Sequence, residues 1–236
     1  MKKNIFVFCT FLLSIFAVVS CDNATSVSEG YLQGLYTVDR NFLRPEMVDT
    51  FYKVDNVVDF GLVDGDRAYI TLAYEIDNYF GPSMAKYRIK SVEGKIPVSG
   101  LTAAGDVDAS EYSSAILGFR EKPMYGWVWL WNKYQNVSVT YYSNGSLGDF
   151  KLTPAGLSGD TLCFALNAKI EAGDEYVEQL MSFDVSSYVD ILSADDAAKL
   201  IALDSLNTKL TFRWYDERND TVKVRSIVSG KFKNCF

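Results

Sequence analysis

The sequence predicts an all-β protein, a sandwich or barrel of short strands. Aromatic residues make up 14% of the chain, and Val, Thr and Tyr are abundant, a composition that favours strands. Apolar runs of strand length recur at short intervals between turn residues, as in sandwiches and barrels. Only residues 194–203 have a convincing helical pattern, because Ser193 is followed by acidic residues and then by an apolar stretch.

The first twenty residues have the pattern of a secretory signal peptide. Lys2 and Lys3 precede an uncharged apolar run over residues 5–19, which is shorter than the ~20 residues of a membrane-spanning helix. The run ends in Val18-Val19-Ser20-Cys21, which resembles the lipobox of bacterial lipoproteins. We expect residues 1–20 to be removed and Cys21 to be lipidated. The alternative is an ordinary signal peptide with an incidental cysteine.

Residues 21–30 are small and polar, as in a flexible tether. Asp22 follows Cys21 directly, and an acidic residue at this place resembles the surface-export signals of Bacteroidota lipoproteins. We therefore predict a protein that is lipid-anchored in the outer membrane. The sequence leaves both the periplasmic and the surface-exposed side open.

The charge of the chain bears on its partners. Removal of residues 1–20 takes away two lysines and no acidic residue, so the net charge changes from −7 to −9. An acidic body repels nucleic-acid phosphates and anionic lipid headgroups. We expect no nucleic-acid partner, and membrane contact through the N-terminal lipid.

Two β units are predicted, over residues 31–103 and 115–236, with a linker over residues 104–114 that is small, acidic and poor in large apolar side chains. In the first unit, Asp64-Gly65 lies between two apolar runs and predicts a hairpin turn. The predicted strands of the second unit lie near residues 126–131, 135–142, 161–168, 179–185, 209–215 and 221–228.

Two cysteines remain once Cys9 leaves with the signal peptide and Cys21 is lipidated. Cys163 lies in a predicted strand and Cys235 is the penultimate residue. An exported protein can keep a disulfide, and a Cys163–Cys235 bridge would hold the C-terminus in place. A buried free thiol beside a loose tail is the alternative, because sequence does not supply the Cα distance that a bridge requires.

The residue types limit the possible chemistry. The chain has no histidine, which excludes Ser-His-Asp and Cys-His nucleophiles and His-based metal sites. We therefore predict no catalytic residues, no cofactor and no metal site. Glycoside hydrolysis needs only two well-placed carboxylates, but no motif selects a pair among the 30 acidic residues.

A cluster of tryptophans is the candidate ligand site. In a strand, side chains alternate between the two faces, so Trp127, Trp129 and Trp131 share one face, with Val128 and Leu130 on the other. Flat indoles with a free N–H could stack against sugars. The same face could instead pack in the core or between the two units.

Short motifs over nearly the whole chain after Cys21 carry a family resemblance. They are Gly30-Tyr31-Leu32 with Thr37-Val38, Asp64-Gly65-Asp66-Arg67, Tyr134-Gln135-Asn136-Val137, Asp160-Thr161-Leu162-Cys163-Phe164-Ala165-Leu166-Asn167 and Ser182-Phe183-Asp184-Val185. With these motifs the chain resembles the NigD-like lipoproteins of Bacteroidota, which take their name from a bacteriocin gene cluster. The resemblance implies an OB-like β-barrel followed by a β-sandwich, and it supplies no catalytic residue.

Compartment, chemistry and resemblance together predict a non-catalytic binding or accessory protein of the cell envelope, of the bacteriocin-immunity kind. Its expected partner is another envelope protein or a secreted protein. The alternative is a carbohydrate-binding lipoprotein that holds a glycan on Trp127, Trp129 and Trp131. A hydrolase is supported only by the abundance of acidic residues.

Overall fold

The computed structural model describes residues 27–77, 86–122, 126–234 and 236. Within them most residues are in strands, which form three sheets. The all-β prediction is therefore confirmed. The predicted signal peptide, Cys21, residues 22–26 of the predicted tether and Cys235 lie outside the described residues.

The first sheet takes up the N-terminal part of the described chain. Its strands are β1 (Val27–Asp39), β2 (Phe42–Pro45), β3 (Tyr52–Lys53), β4 (Arg67–Asp77) and β5 (Lys86–Ile96). Their order is β3-β2-β1-β4-β5, and all four pairings are antiparallel. Val54 bridges Tyr87 of β5, so the two ends of the sheet meet, as an OB-like barrel requires.

Two further sheets form a sandwich. One contains β6 (Val98–Gly100), β7 (Gly118–Phe119), β8 (Val128–Trp131), β9 (Tyr134–Ser143) and β12 (Glu175–Asp184). The other contains β10 (Asp149–Ser158), β11 (Thr161–Lys169), β13 (Ser205–Asp216) and β14 (Thr221–Lys233). The first has the order β6-β12-β9-β7, with β8 also on β9, and the second has the order β10-β11-β13-β14.

Alternation of side chains explains the core of the sandwich. Val137, Val139 and Tyr141 of β9 face the same side and are buried against Leu162 and Phe164 of β11 and other apolar residues, as period-two patterning requires. The first sheet encloses a separate core that includes Val38, Leu43, Ile70 and Leu72.

Helices are short in the described part of the chain. The predicted helix is present as α2 (Ala194–Ile201), and the Ser193 hydroxyl caps it by accepting a hydrogen bond from the Asp196 N–H. A one-turn helix, α1 (Tyr188–Ile191), precedes it. Among the described residues, no helix has the length and apolar character needed to cross a bilayer.

Several details differ from the sequence-based expectations. Strand β1 begins at Val27, within the predicted tether, because residues 27–30 pair with β4. Strand β6 pairs with β12 of the sandwich, although residues 98–100 were expected in the first unit. In the predicted linker, Tyr112 is buried and its hydroxyl donates to Asp149, while the Ser114 N–H donates to the Ala168 carbonyl.

The turn at Asp64-Gly65 also differs. Gly65 has a φ of +85°, the conformation that glycine favours, so a turn is present. The apolar run before it, however, contains a short 3-10 helix (Val58–Phe60) rather than a strand. The turn therefore leads into β4 without closing a two-stranded hairpin.

Candidate functional site

The first sheet and the sandwich meet in a small buried cluster. Leu35 of β1, Ile96 of β5 and Trp129 of β8 form its centre, with Tyr69 and Leu180 packed around it. Because Trp129 belongs to the sandwich and the other two central residues to the first sheet, this cluster is the apolar contact between the two units. The charged and polar groups described next lie beside it.

A buried ion pair crosses the same interface. Arg67, the first residue of β4, donates from Nη2 to Glu46 Oε2 over 2.6 Å, and neither side chain is more than 1% exposed. Nη1 of Arg67 donates to Asn136 Oδ1 and to Ser182 Oγ in the sandwich. A single guanidinium thus holds a residue of its own unit and two residues of the other.

Cross-strand register explains why the partners of Arg67 lie together. Ser182 of β12 pairs with Asn136 of β9, and Asn136 pairs with Trp129 of β8. The three side chains therefore form a row across the outer face of the sheet, since directly opposite residues point to the same side. Glu46 Oε1 accepts from Trp129 Nε1 and from Asn136 Nδ2, each over 2.9 Å.

Burial governs the electrostatics of this cluster. Loss of water raises the pKa of Glu46, while the Arg67 guanidinium and the donors Trp129 and Asn136 oppose that rise. The Arg67 guanidinium also lies 4.4 Å above the Tyr134 ring, a favourable cation–π contact. Both Glu46 oxygens accept hydrogen bonds inside the protein, so this carboxylate is built into the interface.

A cleft of about 620 Å³ opens on one side of the interface. Trp131 and Leu130 contribute apolar surface, and Asp39, Arg44 and Lys133 are among its charged residues. Lys133 is ion-paired to Asp184 at 2.7 Å. The lining carries both charges, so the cleft selects neither an anion nor a cation.

A second cleft, of about 600 Å³, lies between the two units at residues of β1, β5 and β12. The apolar residues Leu35, Tyr69, Ile96 and Leu180 line it together with charged residues that include Glu178. Both clefts have the size of small-molecule sites, which occur preferentially at domain interfaces.

The predicted tryptophan face is divided by the fold. Trp127 is 46% exposed, whereas Trp129 is fully buried against the first unit and Trp131 is half-buried. The register places Trp129 and Trp131 on one side of β8, whereas Trp127 precedes the strand, and the first unit covers Trp129. The three indoles therefore do not form a continuous open platform for a sugar, and the packing alternative describes Trp129.

The structure describes only one of the two cysteines in the predicted bridge. Cys163 is half-buried on β11, and its Sγ lies 3.8 Å from the Thr161 carbonyl oxygen. Because Cys235 lies outside the described residues, the Cys163–Cys235 bridge stays a prediction. Within residues 27–77, 86–122 and 126–234, no group of three or more Asp, Glu or Cys side chains is placed to hold a metal ion.

The residue types of the interface network do not by themselves predict a functional site. Arg67, Asn136 and Ser182 nevertheless each belong to one of the short motifs on which the family resemblance rests. Three of the motifs thus contain residues of one buried network. These motifs are the sequence signal from which the network could have been predicted.

Comparison with solved structures identifies the fold. The chain is similar to a NigD-like immunity protein from Bacteroides caccae, at 13% identity and a TM-score of 0.50, over 86% of this chain and 96% of that one. It is similar to a provisionally assigned lipoprotein from Bacteroides fragilis, at 13% identity and a TM-score of 0.57, over 85% and 98%. A provisionally assigned toxin-related protein from Parabacteroides distasonis has 10% identity and a TM-score of 0.55, over 87% and 94%.

These likenesses cover both units and confirm the resemblance to NigD-like lipoproteins at the level of the fold. No protein-family model matches the sequence, and no curated protein does either.

Proposed function

We propose that this chain is a lipid-anchored protein of the cell envelope that acts by binding another envelope or secreted protein, without catalysis. The observation that carries the proposal is that the buried charges hold the two units together. Arg67 and Glu46 are tied to each other and to the sandwich, so the most deeply buried ionisable groups of the interface serve its architecture.

The fold supports a role of the accessory or immunity kind. One protein with this fold is described as a NigD-like immunity protein and another as a lipoprotein. In this proposal the chain acts through a binding surface rather than through reactive groups. The absence of histidine from the sequence agrees with such a role, since histidine is the commonest general base at neutral pH.

The anchor places the protein in the outer membrane in this proposal, on either its periplasmic or its outer side. The apolar run over residues 5–19 and the lipobox-like ending at Cys21 support lipidation. Only residues 22–26 separate Cys21 from β1. The lipid therefore keeps the described body close to the bilayer, and an envelope partner is the kind it would meet.

Crosslinking in intact cells tests the proposal. The tagged, lipidated protein is crosslinked, purified and analysed by mass spectrometry beside a Cys21→Ala control. We expect a specific protein partner that is lost in the control, and palmitate labelling of the native protein alone. Recovery of the bait by itself, or turnover of a glycan substrate by the purified protein, would contradict the proposal.

A further inference from the structure

Strand β14 forms one end of its sheet, and the first half of this strand is open to solvent. Residues 221–226 are all exposed. From Thr221 opposite Asp216 to Ser229 opposite Thr208, the pairing with β13 is continuous and regular. A regular edge strand offers a row of unpaired N–H and C=O groups on which another strand can form.

The other strands at sheet ends in the described chain are short or irregular. Strands β3, β6, β7 and β8 have between two and four residues. Strand β5 has two register irregularities against β4, and β10 has one that starts at Pro154. Short strands, bulges and proline are the devices that protect sheet edges from unwanted pairing, so the open half of β14 is the exception.

The side chains of β14 divide into an apolar row and a basic row. Val222, Val224 and Val228 lie on the outer face of the sheet and are exposed, Val224 by 70%. Lys223 and Arg225 lie on the opposite face. Arg225 stacks 3.4 Å from the centre of the Trp214 ring, which holds its charge at the edge of the strand.

The charge of this edge is opposite to that of the chain. Residues 221–233 contain four basic residues and no acidic one, although the whole chain has a net charge of −7. Lys223 is paired to Asp216 at 2.8 Å. Arg225 has no ion-pair partner among the described residues, and neither do Lys209 and Arg213 on the adjacent strand β13. The edge is therefore complementary to an acidic segment.

We propose that β14 is a docking edge for an extended acidic segment of the partner protein, which adds to the sheet as a further strand beside residues 221–226. Acidic side chains of that segment face Arg225, which has no acidic partner of its own, and β-branched side chains extend the row of Val222 and Val224. This inference rests on the proposed function and names the surface and the chemistry of its binding partner.

A second copy of the chain is a poor occupant of this edge. Antiparallel pairing of two β14 strands with their outer faces on one side places basic residues such as Lys223 and Arg225 opposite each other. Like charges in directly opposite positions destabilise a sheet. Self-association through β14 is accordingly an outcome that would overturn the proposal.

The test uses the full lipidated chain in detergent micelles and a fluorescent synthetic peptide of alternating Val and Glu. The control peptide has Lys in place of Glu. We expect the acidic peptide to raise the fluorescence anisotropy and to slow hydrogen exchange of amides within residues 221–226, and the basic peptide to do neither. Equal binding of both peptides, no binding, or protection elsewhere overturns the inference.

Two variants of β14 and one control variant test whether the acidic peptide binds at this strand. Arg225→Glu is expected to weaken binding of the acidic peptide about tenfold. Lys90→Glu makes the same charge change on an exposed residue of the edge strand β5 and should leave the affinity unchanged. Because Arg225 stacks on Trp214, Val224→Asp serves as a second variant at a side chain with little packing, with the same expected loss.

Photo-crosslinking separates this inference from the proposed function. A photoreactive residue is placed at Val224 or, as the control, at the exposed Val58 in intact cells. A partner captured through Val224 alone agrees with both proposals. An anchor-dependent partner captured only elsewhere overturns the β14 inference and leaves the proposed function standing. Peptide binding at β14 with no partner in cells overturns the proposed function instead.

Discussion

The indole N–H of Trp129 donates to Glu46 Oε1 over 2.9 Å, across 83 positions of the chain. This bond joins strand β8 of the sandwich to the segment that follows β2 in the first unit. Together with the ion pair between Glu46 and Arg67, it makes the contact between the units polar and specific at one point.

Glu46→Gln should lower the free energy of unfolding by about 3–5 kcal/mol, because it leaves the buried Arg67 charge without its counterion. Urea titration followed by circular dichroism measures the loss. Glu29→Gln is the control, because its pair with Arg88 is exposed on both sides and solvent screens such pairs, so they add little to stability. Equal small effects of both changes would show that the ion pair is not stabilising.

Trp129→Ala should cost about 3–5 kcal/mol, since it empties a fully buried site, whereas Trp127→Ala should cost about 1 kcal/mol or less because that indole is exposed. Acrylamide quenching gives a second measurement. Removal of Trp127 should reduce the quenchable fraction of the fluorescence, and removal of Trp129 should not. The reverse order would contradict the buried position of Trp129.

Asp216 makes the stability of the protein vary with pH in the acid range. Hydrogen bonds from Lys223 and Asn219 lower its pKa from 3.8 to about 2. Since the folded-state pKa is depressed, its contribution to stability is present above pH 3.8 and is lost as the pH falls through about 2. Between these pH values, the Asp216→Asn variant should lose less stability than the native protein in acid titrations of the unfolding midpoint. Parallel curves would contradict this assignment.

Gly173 and Gly230 should respond oppositely to alanine. A Cβ at Gly173 would lie 2.3 Å from the Ser143 carbonyl oxygen and 2.4 Å from the Asn144 nitrogen, so the backbone must move, at a cost of about 1–3 kcal/mol. A Cβ at Gly230 meets no atom within 4 Å, and Gly230→Ala should change the stability by about 0.5 kcal/mol or less. Thermal unfolding of the two variants provides the comparison.

Local patterns predicted much of the fold. The six strand positions expected in the second unit correspond to β8, β9, β11, β12, β13 and β14, and the capped helix is α2. Strand β10 was missed, and it contains Pro154, a residue that argues against a strand. The structure accommodates Pro154 at a register irregularity, which a sequence pattern does not reveal.

Local sequence patterns could not predict the interface between the two units. Arg67 meets Asn136 and Ser182 across 69 and 115 positions, and strand periodicity carries no information on contacts at that distance. Alternation places Trp129 and Trp131 on one face of β8, yet burial depends on what covers that face. The first unit covers Trp129, and only the assembled fold decides this.

The length of strand β1 limits how far the sandwich can stand from the bilayer. Its thirteen residues, at about 3.3 Å each, reach roughly 40 Å from Val27 to the end that packs against the sandwich. With the proposed lipid at Cys21, a stretched leader of six residues adds about 20 Å at most. The near side of the sandwich then stands at most roughly 60 Å from the bilayer, so we expect a partner held in the same membrane to present its acidic segment at a comparable height.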